Sequence, residues 1–439
     1  MILDELADIG RAGAAGGYTR LAWTSAELEL REWFTASAEG LGLDVETDGN
    51  GNLWAWWNAS APGTALVLGS HLDSVPSGGA YDGPLGVASA FEAVRRAQRG
   101  GYVPARPVAI VAFSDEEGGR FGIACVGSRL LTGSLDAGAA RGLRDAEGVN
   151  LSDAMTSAGA SADHLGADPE RLARIGEFVE LHVEQGHLPV ASAATATRGL
   201  TAAGSALGVA TEIWPHGRWR FDIAGTPNHA GTTPLDQRRD PVVAAAALIT
   251  EVHRAAEDYG VLATVGKLLV EPGVVNAIAA RARVWLDARG SDADLVRALV
   301  QRVERSSYQS AVEESWSAAT LFDVDATARV ARIAEAVTGA PVPWLPSGAG
   351  HDAGVLALAG VPTSMLFVRN PTGVSHAPDE AADDADVELG VLALQRILED
   401  RGSDTTAAAA TAAVRAPREP QSPAAAPRAP QQPAGTPRP

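Results

Sequence analysis

Cysteine and lysine are almost missing from this 439-residue chain: each occurs once, as Cys125 and Lys267. A single cysteine excludes intrachain disulfides and any multi-cysteine zinc or iron–sulfur site, and it fits a reducing cytoplasm. Cys125 lies in the apolar run GIACVG and reads as core packing. With one lysine there is no G-x-x-x-x-G-K-[ST] phosphate loop. A lysine Schiff base is not expected either, because Lys267 lies in the strand-like run TVGKLLV. No apolar run approaches the roughly 20 residues a membrane span needs. The N-terminal MILDELADIG is acidic and lacks the basic start of a signal peptide, so a cytoplasmic location is expected. Positive charge is also short: 35 Lys and Arg stand against 54 Asp and Glu, for a net charge of −19. Nucleic acid and anionic membrane are therefore poor partners. An anionic substrate would need a local positive field, from bound metal or one or two arginines.

What remains is an ordinary globular balance, 46% apolar and 20% charged, in a chain long enough for two cored domains. Residues 25–40 read as an amphipathic helix. Strands follow near 43–47 and 53–57, around a DGNGN turn. The apolar runs 64–70 and 106–114 read as buried strands on either side of a helix over 85–99. This alternation predicts an α/β fold with a mostly parallel sheet, whose ligands gather at the carboxyl ends of strands. Residues 187–212, rich in Ala, Gly, Ser and Thr, read as an irregular connection. Beyond them the order is strand (219–225), helix (240–260), strands (261–271 and 280–290), helix (292–307) and strand (311–318). That β-α-β-β-α-β order is ferredoxin-like and suits a small inserted lid domain. The expected division is a discontinuous larger domain over 1–212 and 326–400, an insertion over 213–325, and a disordered Ala/Pro-rich tail over 401–439.

Five segments supply acids and histidines: GSHLDSV (69–75), YDGPLGV (81–87), FSDEEGGRFG (113–122), ELHVEQG (180–186) and VSHAPDE (374–380). Each alone passes for a solvated loop or a core histidine. Together His71, Asp82, Glu116, Glu117, His182 and His376 match the donors that two divalent metals need, with one carboxylate to spare for proton transfer. His71 and Asp73 stand two apart at a strand end and point the same way, so Asp73 is placed to orient the imidazole. Asp82, between glycines, is a candidate bridge between metals. Adjacent Glu116 and Glu117 diverge, so one can bind metal while the other faces substrate as general base and then acid.

Taken in order, these segments resemble the dinuclear metallohydrolases that include aminoacylases, carboxypeptidase G, N-carbamoyl-L-amino-acid hydrolases, β-ureidopropionase and allantoate amidohydrolase. The resemblance covers about residues 1–400. ELHVEQG, GTPNHAGTTPLDQRRDP (225–241) and SGAGHDAG (347–354) resemble the ureido-cleaving branch. The resemblance implies one metal held by His71, Asp82 and His182, and another held by Asp82, Glu117 and His376. The ions would be Zn²⁺ or Mn²⁺, with Co²⁺ as a further option. It implies Glu116 as catalytic acid/base. It implies that His229 polarises the scissile carbonyl, often in the partner subunit's site, and that Gln185, Asn276 and Arg289 hold the substrate. A homodimer through the inserted domain belongs to the same implication. The motif after Asn276 departs from the family, because Ala277-Ile278-Ala279 lacks the usual proline. IWPHGRWR and FVRNPTGVSH resemble allantoate amidohydrolases, so allantoate is the first expected substrate. An N-carbamoyl-L-amino acid is the alternative and a peptide or acyl amino acid the third choice. A non-catalytic binding protein on the same fold is the contrasting class.

Overall fold

The computed structural model describes residues 2–190 and 197–403. Six strands frame the larger of its main sheets: β1 (Asp44–Thr47), β2 (Leu53–Trp57), β3 (Ala65–His71), β4 (Val108–Phe113), β5 (Ile175–Val183) and β6 (Leu207–Ile213). This nine-stranded sheet has the order β1-β2-β4-β3-β5, then Thr363–Val368, then β6, then Thr320–Leu321. Trp344–Ser347 also pairs with β6. The centre of the sheet, from β4 through β3 and β5 to Thr363–Val368, is parallel throughout. Antiparallel pairs extend it on both sides.

Strands β3 and β4 are buried along their whole length because both faces of the sheet are covered. Leu66 and Leu68 of β3 join Val108 and Ile110 of β4 in one core, under the helices Ser25–Gly40, Pro84–Arg99 and Asp384–Gly402. Their alternate neighbours Val67, Ala109, Val111 and Phe113 enter the core on the other face, with Trp54 and Phe178. Gly69 is required where β3 pairs with β4: a β-carbon there would run into the Val111 carbonyl oxygen.

A second sheet has the order Ala311–Ser317, His216–Ala224, Arg281–Arg289, Leu262–Glu271, with every neighbour antiparallel. The helices Pro241–Tyr259 and Ala293–Ser307 supply Leu248, Val252, Leu299 and Val303 to its own separate core. The element order is the one expected from residues 219–318. Lys267 lies 4.6 Å above the Trp285 ring on this sheet.

Two expectations are corrected. Residues 187–212 do not form a wholly irregular connection. Gly199–Ala203 is helical, and β6 is an inner strand of the large sheet, its Leu207 and Val209 turned to one core and its Ala210 and Ile213 to the other. Burial by neighbouring strands outweighs the weak local preference of an Ala- and Gly-rich sequence. The segment expected to be disordered from 401 begins inside a helix, since Arg401 and Gly402 end Asp384–Gly402 and the Gly402 carbonyl accepts from Ala105 N. The rest of that tail, from 404, lies outside the described residues.

Candidate metal centre

The parallel strands deliver their carboxyl ends to one place. His71 ends β3, the Asp115–Glu117 turn follows β4, His182 lies next to the end of β5, and the loop carrying His376 follows Thr363–Val368. Asp82 precedes the helix Pro84–Arg99, which has proline in its first turn. Gly83 makes the approach possible. Its φ is +84°, and a β-carbon there would lie 2.4 Å from the His71 ring.

Asp82 is the hub. His71 Nε2 and His182 Nε2 face its Oδ1 at 3.5 and 3.1 Å. His376 Nε2 faces its Oδ2 at 3.4 Å and Glu117 Oε2 at 3.2 Å. The donor groups His71–Asp82–His182 and Asp82–Glu117–His376 are each close enough to hold one ion. Glu116 is buried beside them, with Oε2 3.8 Å from His71 Nε2.

The donor chemistry fits cations. His182 Nδ1 lies 2.8 Å from the Val183 carbonyl oxygen, and His71 Nδ1 lies 3.1 Å from that of Asp73. If each ring donates through Nδ1, the lone pair on Nε2 points at the Asp82 carboxylate. Two electron-rich atoms facing one another at 3.1 Å need a proton or a metal between them. His182 Nε2, Glu117 Oε1 and Gln185 Oε1 are buried without a hydrogen-bond partner. The ion pairs of Asp82 are all to imidazoles, none to lysine or arginine, among the described residues.

The electrostatics show the same excess of acid. Burial, with Asp352, Glu117 and Asp73 nearby, pushes the Glu116 carboxyl well above the usual range despite His71. Burial would lower His71, but Glu116, Asp73 and Asp82 outweigh it and hold it well above its ordinary value. Hydrogen bonds to Asp82 and Glu117 raise His376 to about 11. Burial beside His182 drives His351 well below its ordinary value.

Asp73 is a brace for the neighbouring turn. Its two carboxylate oxygens accept the main-chain N–H groups of Glu116 and Glu117, each at 3.1 Å, while its carboxylate is 3.6 Å from His71 Nδ1. Gln185 Nε2 donates to Asp82 Oδ2 at 2.7 Å and to Ser375 Oγ at 3.2 Å. Arg289 Nη1 donates to the Gly348 carbonyl at 2.7 Å, in the loop that leads to His351. His229 lies exposed on a two-stranded ribbon, paired with Ala277, and Asn276 lies exposed in the turn just before that second strand, where its carbonyl accepts from Ala230 N. Among the described residues no hydrogen bond or ion pair joins either to the Asp82 cluster.

Several residues around the site were given no metal-binding or catalytic role from the sequence, although His351, Glu180 and Glu380 lie in its motifs. Cys125, expected as core packing, is buried and its thiol donates to Glu116 Oε1 at 3.4 Å. Glu180 accepts from Ser70 Oγ and Ala353 N, tying β3 and β5 to the helix Asp352–Leu358. The His351 ring packs edge-on to His182 at 4.6 Å. Glu380 accepts from the main chain of Tyr81 and Asp82. Glu180 had a visible signal, as an acid two residues before His182 inside an apolar strand.

Known proteins share this arrangement of elements. The model of peptidase family M20/M25/M40 matches residues 67–400. An N-carbamoyl-L-amino acid amidohydrolase of Geobacillus stearothermophilus is 37% identical over 398 residues, 88% of this chain and 94% of that protein. An allantoate amidohydrolase of Escherichia coli strain K12 is 31% identical over 402 residues, 88% of this chain and 93% of the other. A solved amidase of the hydantoinase/carbamoylase family from Burkholderia vietnamiensis superposes with a TM-score of 0.83 at 29% identity, covering 92% of this chain and 96% of its own. With its parallel strand ends converging on Asp82 and a family match over most of its length, the chain belongs to peptidase family M20/M25/M40.

Proposed function

We propose that this chain hydrolyses the linear ureido C–N bond of a small acid, with two divalent cations shared by Asp82. The observation that carries the reading is the pair of donor groups meeting on the two oxygens of one buried aspartate, with Glu116 left over beside them. His71, Asp82 and His182 would hold one ion, and Asp82, Glu117 and His376 the other. Imidazole and carboxylate donors suit Zn²⁺ or Mn²⁺, with Co²⁺ also accommodated. When bound, such ions polarise a carbonyl oxygen and acidify water.

The chain's own groups do the rest. Glu116 takes the proton of the attacking water and delivers it to the leaving nitrogen. Asp73 keeps that carboxyl in register through the main chain of Glu116 and Glu117. Arg289, whose guanidinium donates to Asp287 and to the Gly348 carbonyl in this structure, would turn its planar fork to the substrate carboxylate. Asn276 and Gln185 add polar contacts to the substrate. His229 stabilises the developing oxyanion. Its exposed position on the ribbon, next to the turn of Asn276, suits action across a homodimer formed through the inserted sheet. A protein that sediments as a monomer while fully active would contradict the dimer.

The relatives carry two substrate names, and both substrates are ureido acids. Allantoate is the first expectation from local motifs, whereas the more similar of the two relatives is named for N-carbamoyl-L-amino acids. Ammonia release should be compared for allantoate, N-carbamoyl-L-amino acids and a dipeptide, using metal-reloaded wild type and Glu116→Gln. We expect turnover of a ureido acid by wild type and a fall of about 10²–10⁴-fold in the variant with its metal content retained. Release from no ureido compound would contradict the reading. Among the described residues no helix is long and apolar enough to cross a membrane. A cytoplasmic location is part of the same proposal, and the free, buried Cys125 is consistent with it.

A further inference from the structure

His376 is the least supported member of the donor set. Its side chain is 48% exposed, against 1% for His71 and His182. Its φ is +58°, a left-handed backbone that a β-carbon disfavours. His71 and His182 are held differently, by adjacent parallel strands with both faces covered. Asn370 and Thr372 brace the loop that carries His376 from within, but its position relative to Asp82 is set by contacts outside it.

Glu380 lies at the end of that loop and is buried. Its Oε1 accepts the main-chain N–H groups of Tyr81 and Asp82 at 2.9 and 3.0 Å. Ser375, next to His376, donates to Asp82 Oδ2 at 3.2 Å and lies 3.5 Å from Glu380 Oε2. One carboxylate thus fastens the backbone of the shared aspartate to the loop of His376, across 298 residues of sequence. The surroundings are shaped for it, because a β-carbon on Gly79 would lie 2.1 Å from Glu380 Oε1.

We propose that Glu380 is a positioning residue for the second cation. It sets the distance between Asp82 and His376 and so assembles the Asp82–Glu117–His376 group. In the other group His71 and His182 are held by paired strands, so it shares only Asp82 with this tie and depends on it less. The inference rests on the two-cation reading above.

The test is titration of chelator-treated, full-length protein with Mn²⁺, read by calorimetry and elemental analysis, for wild type, Glu380→Gln and Glu380→Ala. A glutamine keeps one oxygen able to accept both N–H groups. Wild type and Glu380→Gln are expected to bind two ions. Glu380→Ala is expected to keep the ion of the His71–Asp82–His182 group and to bind the second about 10–100-fold more weakly, the usual cost of losing an outer partner. Wild-type affinities for both ions in Glu380→Ala, or an equal loss at both, would overturn the inference. Uptake of fewer than two ions by wild type would instead overturn the two-cation reading. If Glu380→Ala does not fold, Gly79→Ala reports on the same contact by crowding Glu380. A selective loss of the second ion is expected there, and unchanged uptake would overturn the proposal.

Discussion

Single atoms decide whether this site can form. Replacing the hydrogen of Gly83 by a methyl group puts a carbon 2.4 Å from the His71 ring, at a φ of +84° that a side chain rarely adopts. Backbone strain of this kind costs about 1–3 kcal/mol before the ring moves. Gly83→Ala should therefore lower the melting temperature and abolish binding of the cation at His71, Asp82 and His182, as melting and metal analysis will show. Protonation is the second lever. Asp82 and Glu117 hold His376 up to about 11 in the cation-free protein, so its imidazolium is present at neutral pH. The stabilisation from those pairings is complete below about pH 6.5 and is lost as pH rises through about 11. A cation must displace that proton, so binding near neutral pH should release protons and tighten as pH rises. Calorimetry in buffers of different ionisation enthalpy measures the release, and a buffer-independent heat would contradict it. At this scale the sequence was legible where a donor stands at the end of an apolar run, as His71 and His182 do. Glu380, Ser375 and Cys125 were not, because their roles depend on partners that are distant or lie around a tight turn.

At the scale of elements, the site is the work of strand ends joined by short braces. Strand β3 ends in His71, and two residues later Asp73 accepts the N–H groups that begin the Glu116–Glu117 turn after β4. Asp73→Asn keeps the shape but replaces one acceptor oxygen by a donor, leaving one of those N–H groups opposed by another. It should reduce turnover by about 10–100-fold while the protein still folds. Wild-type rates in this variant would show that the turn needs no brace. Buried strands β3 and β4 were legible from their apolar runs. Strand β6 was hidden in an Ala- and Gly-rich stretch, because what makes it a strand is pairing with Thr363–Val368 and Trp344–Ser347, far along the chain. The order of strands in the sheet was not legible for the same reason.

At the scale of the molecule, the chain is strongly acidic, with a net charge of −19, and it concentrates buried carboxylates around Asp82 with imidazoles as their counter-charges. Bound cations would relieve that repulsion in the folded state alone, so mass action makes them stabilising. Chelation should lower the melting temperature, and Zn²⁺ or Mn²⁺ should restore it, in a scan at fixed pH. A melting temperature indifferent to chelation would count against structural coupling of the ions. Anomalous diffraction from crystals grown with Zn²⁺ or Mn²⁺ tests the shared aspartate without intermediaries. Two peaks about 3.5–4 Å apart are expected on the two oxygens of Asp82, one beside His71 and His182 and the other beside Glu117 and His376. No peak at Asp82, or metal bound only elsewhere, would contradict a dinuclear site there.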